Sequence, residues 1–152
     1  MSLIIKLFLL ILLSISSFAV DTIYFLPQDS NKAKKHIVKL INNAQSKIDI
    51  AMYNFTYKKF AKALDKASKN NVDVTIVYDK TKLKFNKNIK LIKSKRKQHI
   101  KMAIIDDKYV IFGSANWKKE SFSENYEIIN ITDNKKKLKK FIKIFKQLKE
   151  EN

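Results

Sequence analysis

Cysteine is absent, and glycine, proline, tryptophan and arginine each occur once, in a chain of 152 residues with only two histidines. Without cysteine there is no disulfide framework, no thiolate metal site and no lipidated-cysteine anchor. The single arginine, Arg96, leaves nearly all positive charge on lysine. Lysines act as mobile point charges, so they favour phosphate contacts blind to sequence over bidentate reading of bases. Acidic residues are also scarce: 14 Asp+Glu stand against 32 Lys+Arg, a formal net charge of +18. A drift of composition toward Lys, Asn and Ile would raise Glu about as much as Lys. The asymmetry therefore points to a polyanionic partner, either nucleic acid or an anionic membrane surface.

The length suits one globular domain with a real core. The first residues, MSLIIKLFLLILLSISSFAV, differ from the rest: Lys6, an apolar run centred on LFLLILL, then Ser17-Phe18-Ala19 as small-x-small before Val20. This is the pattern of a secretory signal peptide over 1–19, followed by a single domain over 20–152. The apolar run falls short of the ~20 residues that a spanning helix prefers. The expectation is a strongly cationic exported protein, periplasmic, envelope-associated or secreted, with peripheral binding to anionic membranes open to it.

Along the chain, TIYFLP (22–27) reads as a strand closed by the only proline, and Ser30 or Asn31 can cap a helix with Ile37, Leu40, Ile41 and Ala44 on one stripe. KIDIAMY (47–53) reads as a strand. Thr56 can cap a second helix burying Phe60, Ala61, Leu64 and Ala67, and VDVTIVYD (72–79) alternates as a strand. The order β-α-β-α-β favours an α/β sandwich. Lys80 to Lys97 is a lysine-laden connection with a weak strand, 89–92, and its place before His99 suits a phosphate groove. Two strands, 99–105 and 109–112, follow around a tight Asp106-Asp107-Lys108 turn. Glu127 to Thr132 gives another strand. Asp133 or Asn134 then starts a helix with Leu138, Phe141, Ile142, Phe145 and Leu148 as its apolar stripe.

Side chains alternate across a strand, so His99 and Lys101 share one face while Ile100, Met102 and Ile104 share the other. Gly113 ends the following strand just before Ser114 and Asn116. As the only glycine, it marks a position where the backbone turns or approaches another group closely. Ser114 and Asn116 can offer neutral hydrogen bonds to an oxyanion, and Glu127 can hold the far nitrogen of an imidazole. Together these residues suit a phosphate site. His36 lies in a helix amid KKHIVK without such companions and reads as a surface residue.

His99-x-Lys101, four residues, Asp106, six residues, Gly113-Ser114-x-Asn116, then Asn125-x-Glu127 resembles the HKD motif of the phospholipase D superfamily, and more narrowly its small single-motif nucleases. The stretch AMYNFT (51–56) before a helix is similar to that branch as well. The segment between Asp79 and His99 departs from the pattern in being short and lysine-rich. The resemblance implies an α-β-α sandwich around a central mixed β-sheet. It also implies a role for each residue. His99 becomes the nucleophile that forms a phosphohistidine, and Lys101 and Asn116 hold nonbridging oxygens. Ser114 supports the site, Glu127 orients His99, and Asp106 is structural. No metal and no cofactor are implied, and the sequence has no evident carboxylate cluster to hold a metal. In-line displacement also needs an acid opposite the nucleophile, and this chain has no suitable second histidine. The expectation is a homodimer in which two copies of His99 face one phosphodiester. The function expected is a metal-independent, non-specific endonuclease acting on DNA or RNA. The alternatives are a phospholipase D acting on membrane phospholipids and a non-catalytic DNA-binding protein of the cell envelope.

Overall fold

Residues 20–152 are described by a computed structural model, so the expected signal peptide over 1–19 lies outside the described residues. Alternating segments form seven strands: β1 (Asp21–Leu26), β2 (Lys47–Phe55), β3 (Asp73–Thr81), β4 (Ile89–Lys93), β5 (Lys101–Ile105), β6 (Tyr109–Gly113) and β7 (Glu127–Thr132). The helices among the described residues are α1 (Ser30–Asn42), α2 (Lys58–Lys69), the short α3 (Lys119–Ser123) and α4 (Lys135–Glu151). The strands make one sheet in the order β1-β7-β6-β5-β2-β3-β4. β2, β3 and β4 run parallel, and the other neighbours pair antiparallel. The parallel β2-β3 pair needs a crossover, which α2 supplies, whereas β5 and β6 need only a tight turn.

One face of the sheet carries Ile48, Ile50, Met52, Val74, Ile76, Ala103, Ile105 and Ile129, packed against Ile37 and Ile41 of α1 and Phe60 and Leu64 of α2. Each of these except Ala103, fully removed from water, contributes about 1.5–3 kcal/mol before entropy is subtracted. The other face is narrower. Ala51, Val77, Met102, Ile104 and Val110 meet Leu138 and Phe145 of α4, with Phe141, Ile142 and Leu148 half-buried beside them. All five residues of β5 are buried, because helices cover both of its faces. The expected α/β sandwich with a mixed sheet is the observed architecture.

Boundaries moved where distant partners decided them. The N-cap positions are Asp29 for α1 and Tyr57 for α2, not Ser30 or Asn31 and Thr56, and neither helix has a side-chain cap. The amides of Thr56 and Tyr57, which precede the helix, donate to the Trp117 carbonyl at 2.9 and 2.8 Å and so hold the entry to α2 against the loop that follows β6. α4 does take a cap: Asn134, not Asp133, accepts from the Lys137 amide at 3.0 Å. β5 starts at Lys101, leaving His99 just outside the strand. His36 is half-buried rather than solvated, and Nδ1 lies 2.8 Å from the Tyr24 hydroxyl; burial, aided by Lys39, lowers its pKa.

Candidate active site

The sheet order collects the chemistry-bearing residues at one edge. Antiparallel pairing puts the start of β5 beside the end of β6, the end of β6 beside the start of β7, and the start of β5 beside the end of β2. Phe112 pairs with Met102, Ile129 with Gly113 and Met52 with Lys101. His99, Lys101, Ser114, Asn116 and Glu127 therefore all lie toward the same end of the sheet, joined there by Tyr53 and Asn54 of β2 and Lys80 of β3. Asp106 lies at the other end of β5, about 16 Å away along an extended chain.

His99 owes its position to an anchored approach. The Ser94 amide donates to the Tyr78 carbonyl at 2.8 Å, and the Gln98 amide to Asp79 Oδ2 at 3.2 Å. The Gln98 side chain is buried, and Lys93 Nζ contacts the Asp79 main-chain carbonyl. At the end of this segment Lys101 Nζ lies 3.0 Å from His99 Nδ1 and donates to the His99 carbonyl at 2.8 Å. Tyr53 closes the other side, its ring centroid 4.7 Å from that of the imidazole and tilted by 57°. Burial is the largest influence on Lys101 and pushes its pKa down, although nearby Glu127 acts in the opposite direction.

Glu127 is held from both oxygens. Ser114 donates to Oε2 at 2.5 Å and Asn125 Nδ2 to Oε1 at 3.2 Å, while the Ser114 hydroxyl accepts the Ile128 amide at 3.0 Å. Glu127 makes no hydrogen bond to His99 here: its oxygens receive Ser114 and Asn125, and His99 Nδ1 faces Lys101 Nζ. Asn116 Oδ1 accepts the Asn54 amide at 3.1 Å, which fixes the side chain and turns its amide nitrogen to other uses.

Gly113 is required by proximity. A Cβ there would stand 2.0 Å from the Ile128 carbonyl oxygen, at a φ of +156°. Its absence lets β6 and β7 close, so that the Ser114 amide reaches that same oxygen at 3.0 Å. Asp106 does structural work at the far end. Its carboxylate accepts the amides of Gln45 at 2.9, Ser46 at 2.8 and Lys47 at 3.1 Å, and the Ser46 hydroxyl at 2.9 Å. Burial tends to raise its pKa, but these donors outweigh it and the net shift is downward. Asp106 and Asp107 take φ of 53° and 49°, the left-handed pair that a tight hairpin turn demands and that Asp tolerates.

The sequence profile of the family described as "Cardiolipin synthase, PLD-like domain" matches residues 37–149, which is most of the chain and includes every residue of the cluster. The chain belongs to the phospholipase D superfamily. Among solved structures of that superfamily, NucT from Helicobacter pylori superposes with a TM-score of 0.80 at 28% identity, over 88% of this chain and 98% of NucT. Nuc from Salmonella typhimurium, a phospholipase D family member, superposes at 0.75 with 24% identity over 88% and 96%, a likeness of fold. A mitochondrial cardiolipin hydrolase of Xenopus laevis is 26% identical over 137 residues, 83% of this chain. The chain spans 65% of the length of that curated relative.

Within this phospholipase D-like site, sequence reasoning missed Tyr53, Asn54 and the Trp117 carbonyl, and named Lys80 only as the start of a lysine-laden segment suited to a phosphate groove. Only Tyr53 left a signal, an aromatic residue closing an apolar strand inside AMYNFT. Asn54 and Trp117 act through the main chain, where residue type carries no message. Among the described residues no three His, Asp or Glu side chains group as a metal site would need. No described helix is long and apolar enough to cross a membrane.

Proposed function

We propose that this protein is a phosphodiesterase of the nuclease kind, cleaving DNA or RNA without base specificity through a phosphohistidine on His99, at a site shared by two copies of the chain. One observation carries the reading: an imidazole, a buried ammonium and fixed amide and hydroxyl groups stand at one sheet edge, on a chain that matches nearly all of NucT, a single-motif nuclease. The net charge of +18 supports it, since one sign of charge draws a polyanion to the site.

The residues divide the work as follows. Lys101 donates to Nδ1 of His99 while the site is empty, which leaves the imidazole proton on Nε2. An arriving phosphodiester offers Lys101 a charged oxygen in exchange, and that releases the ring to present a lone pair to phosphorus. Lys101 and the Asn116 amide take the nonbridging oxygens, where charge grows in the transition state. A P–N bond forms as the P–O bond to the leaving oxygen breaks. The proton for that oxygen comes from the other imidazole, and the same group later deprotonates the water that hydrolyses the phosphohistidine.

The second imidazole must come from a second copy. His36 lies near Asp106 at the opposite end of the sheet, lining the same cleft as Lys108 and Tyr109. Beside Ser114 and Glu127, Phe25, Tyr126 and Ile128 expose apolar surface in one cleft, and this supports a protein contact next to the site. The test is cleavage of double-stranded DNA, single-stranded DNA and RNA in excess chelator by wild type and by His99→Ala. Chelator-resistant cleavage lost in the variant is the expected result; equal cleavage by both proteins, or none by wild type, overturns the reading.

A second reading, hydrolysis of a phospholipid diester, is favoured by the likeness to the cardiolipin hydrolase. It predicts release of phosphatidic acid from cardiolipin or phosphatidylcholine liposomes and no cleavage of nucleic acid. Export to the periplasm or envelope, with residues 1–19 as a signal peptide, remains part of the proposal and is tested by N-terminal sequencing of protein recovered from the cell envelope.

A further inference from the structure

Asn54 and its neighbour Tyr53 stand as a wall between the His99 cluster and a second concavity of about 630 Å³, whose lining includes Asn54, Tyr78, Asp79, Lys80, Lys82 and Lys93. Both wall residues are tied to the reactive edge: Tyr53 packs on the imidazole and the Asn54 amide donates to Asn116 Oδ1. The Tyr53 ring also carries two cations, Lys101 Nζ at 5.4 Å and Lys80 Nζ at 5.2 Å from its centroid. One aromatic ring thus bridges the ammonium of the site and an ammonium of the neighbouring cleft.

The rim of the cleft is built rather than loose. The Thr81 hydroxyl donates to the Phe55 carbonyl at 2.6 Å and accepts the Leu83 amide at 3.1 Å, which pins the main chain on both sides of Lys82. Lys93 is partly neutralised by Asp79 at 3.4 Å. Lys80 and Lys82, in contrast, have no carboxylate within ion-pair distance among the described residues. Three ammoniums against the one carboxylate of Asp79 leave net positive potential over this concave surface, and an aromatic edge beside them offers a face to a base or sugar.

We propose that this cleft is a second phosphate subsite, in which Lys80 and Lys82 hold the phosphate neighbouring the scissile one in a polynucleotide strand and Tyr53 supports the nucleotide between them. The inference takes its ligand from the nuclease reading, but binding can be measured without cleavage. The probe is a fluorescent single-stranded oligonucleotide titrated against His99→Ala protein, with and without Lys80→Gln and Lys82→Gln, across salt concentrations. A control pair, Lys35→Gln and Lys39→Gln on α1, removes the same charge elsewhere.

The subsite pair is expected to weaken binding about tenfold at low salt and to flatten the slope of log affinity against log salt by roughly 1.4, the share of two phosphate contacts on a single strand. The control pair is expected to lose less than threefold. In protein with His99 intact, the subsite pair should lose at least tenfold more kcat/KM on the oligonucleotide than on bis(p-nitrophenyl) phosphate, which has no second phosphate. Equal losses for both lysine pairs, or equal losses on both substrates, overturn the subsite. So does weakened binding to anionic vesicles with oligonucleotide binding untouched. Oligonucleotide binding that depends on Lys80 and Lys82 in a protein that cleaves no nucleic acid leaves the subsite standing and removes the nuclease reading.

Discussion

Replacing Asp106 by alanine separates structure from chemistry within the His-Lys-Asp pattern. The carboxylate accepts bonds from three consecutive amides, Gln45, Ser46 and Lys47, and from the Ser46 hydroxyl, at 2.8 to 3.1 Å. Hydrogen bonds to a charged acceptor contribute about 1.5–3 kcal/mol each when dry, but this turn is partly wet and water replaces much of what alanine removes. Taking well under 1 kcal/mol per bond leaves a loss of about 2–3 kcal/mol, or roughly 6–12 °C in Tm for a domain of this size. Asp106→Asn should fall between, since it keeps an acceptor and loses the charge. The pH dependence has a fixed sign: the folded carboxyl titrates below its unfolded value. Its contribution is therefore full above about pH 4 and disappears as pH falls through the folded value, so the stability gap between wild type and Asp106→Asn closes in acid. Thermal unfolding by circular dichroism from pH 3 to 7, with cleavage assayed well below Tm, measures both quantities. An Asp106→Ala protein with native Tm and no activity would place this carboxylate in the chemistry and refute the assignment.

Gly113→Ala drives a methyl group to 2.0 Å from the Ile128 carbonyl oxygen, so β6 and β7 must part. The expected cost is about 2–4 kcal/mol in urea unfolding, and a variant within 0.5 kcal/mol of wild type would show that the strands have room to give. Asn116→Ala removes a proposed donor to the transition-state oxygens, and kcat is expected to fall about 100-fold or more, with binding of oligonucleotide changed less than fivefold. Glu127→Gln leaves hydrogen-bonding capacity at Ser114 and Asn125 but takes a negative charge from near Lys101. It is expected to lower the Lys101 pKa further, so the alkaline limb of the pH-rate profile should move to lower pH; an unmoved limb means that Glu127 does not act through Lys101.

Local pattern carried the hairpin of β5 and β6 well: four consecutive apolar residues, two Asp residues at a left-handed turn, then a second apolar run ending at the single glycine. The same is true of α4, whose apolar residues recur at helical spacing. What was not legible depended on partners far along the chain. His99 reads as strand by alternation, yet its segment is fixed by Tyr78, Asp79 and the Asn152 side chain, which accepts the Lys95 amide at 2.5 Å. The helix starts after Asp29 and Tyr57 were hidden because neither side chain caps its helix, and the entry to α2 is held by the Trp117 carbonyl some 60 residues away. Glu127 reads as a partner for histidine by residue type alone; that Ser114 lies closer follows only from the pairing of β6 with β7, which the close approach at Gly113 permits. Tyr53 gave only a faint trace, because an aromatic at a strand end is commonly core, and Asn54 and Trp117 gave none.

Mixing subunits tests the shared site most directly. Wild type and His99→Ala protein, co-refolded at varied ratios and assayed in chelator on single-stranded DNA, report whether one phosphodiester needs two copies of His99. A site built from two chains makes every mixed dimer inactive, and at equal amounts activity should fall to about one quarter of that of the same total amount of wild type. A fall to one half, linear in the wild-type fraction throughout, would mean that each chain cleaves with its own histidine and would contradict the two-copy site.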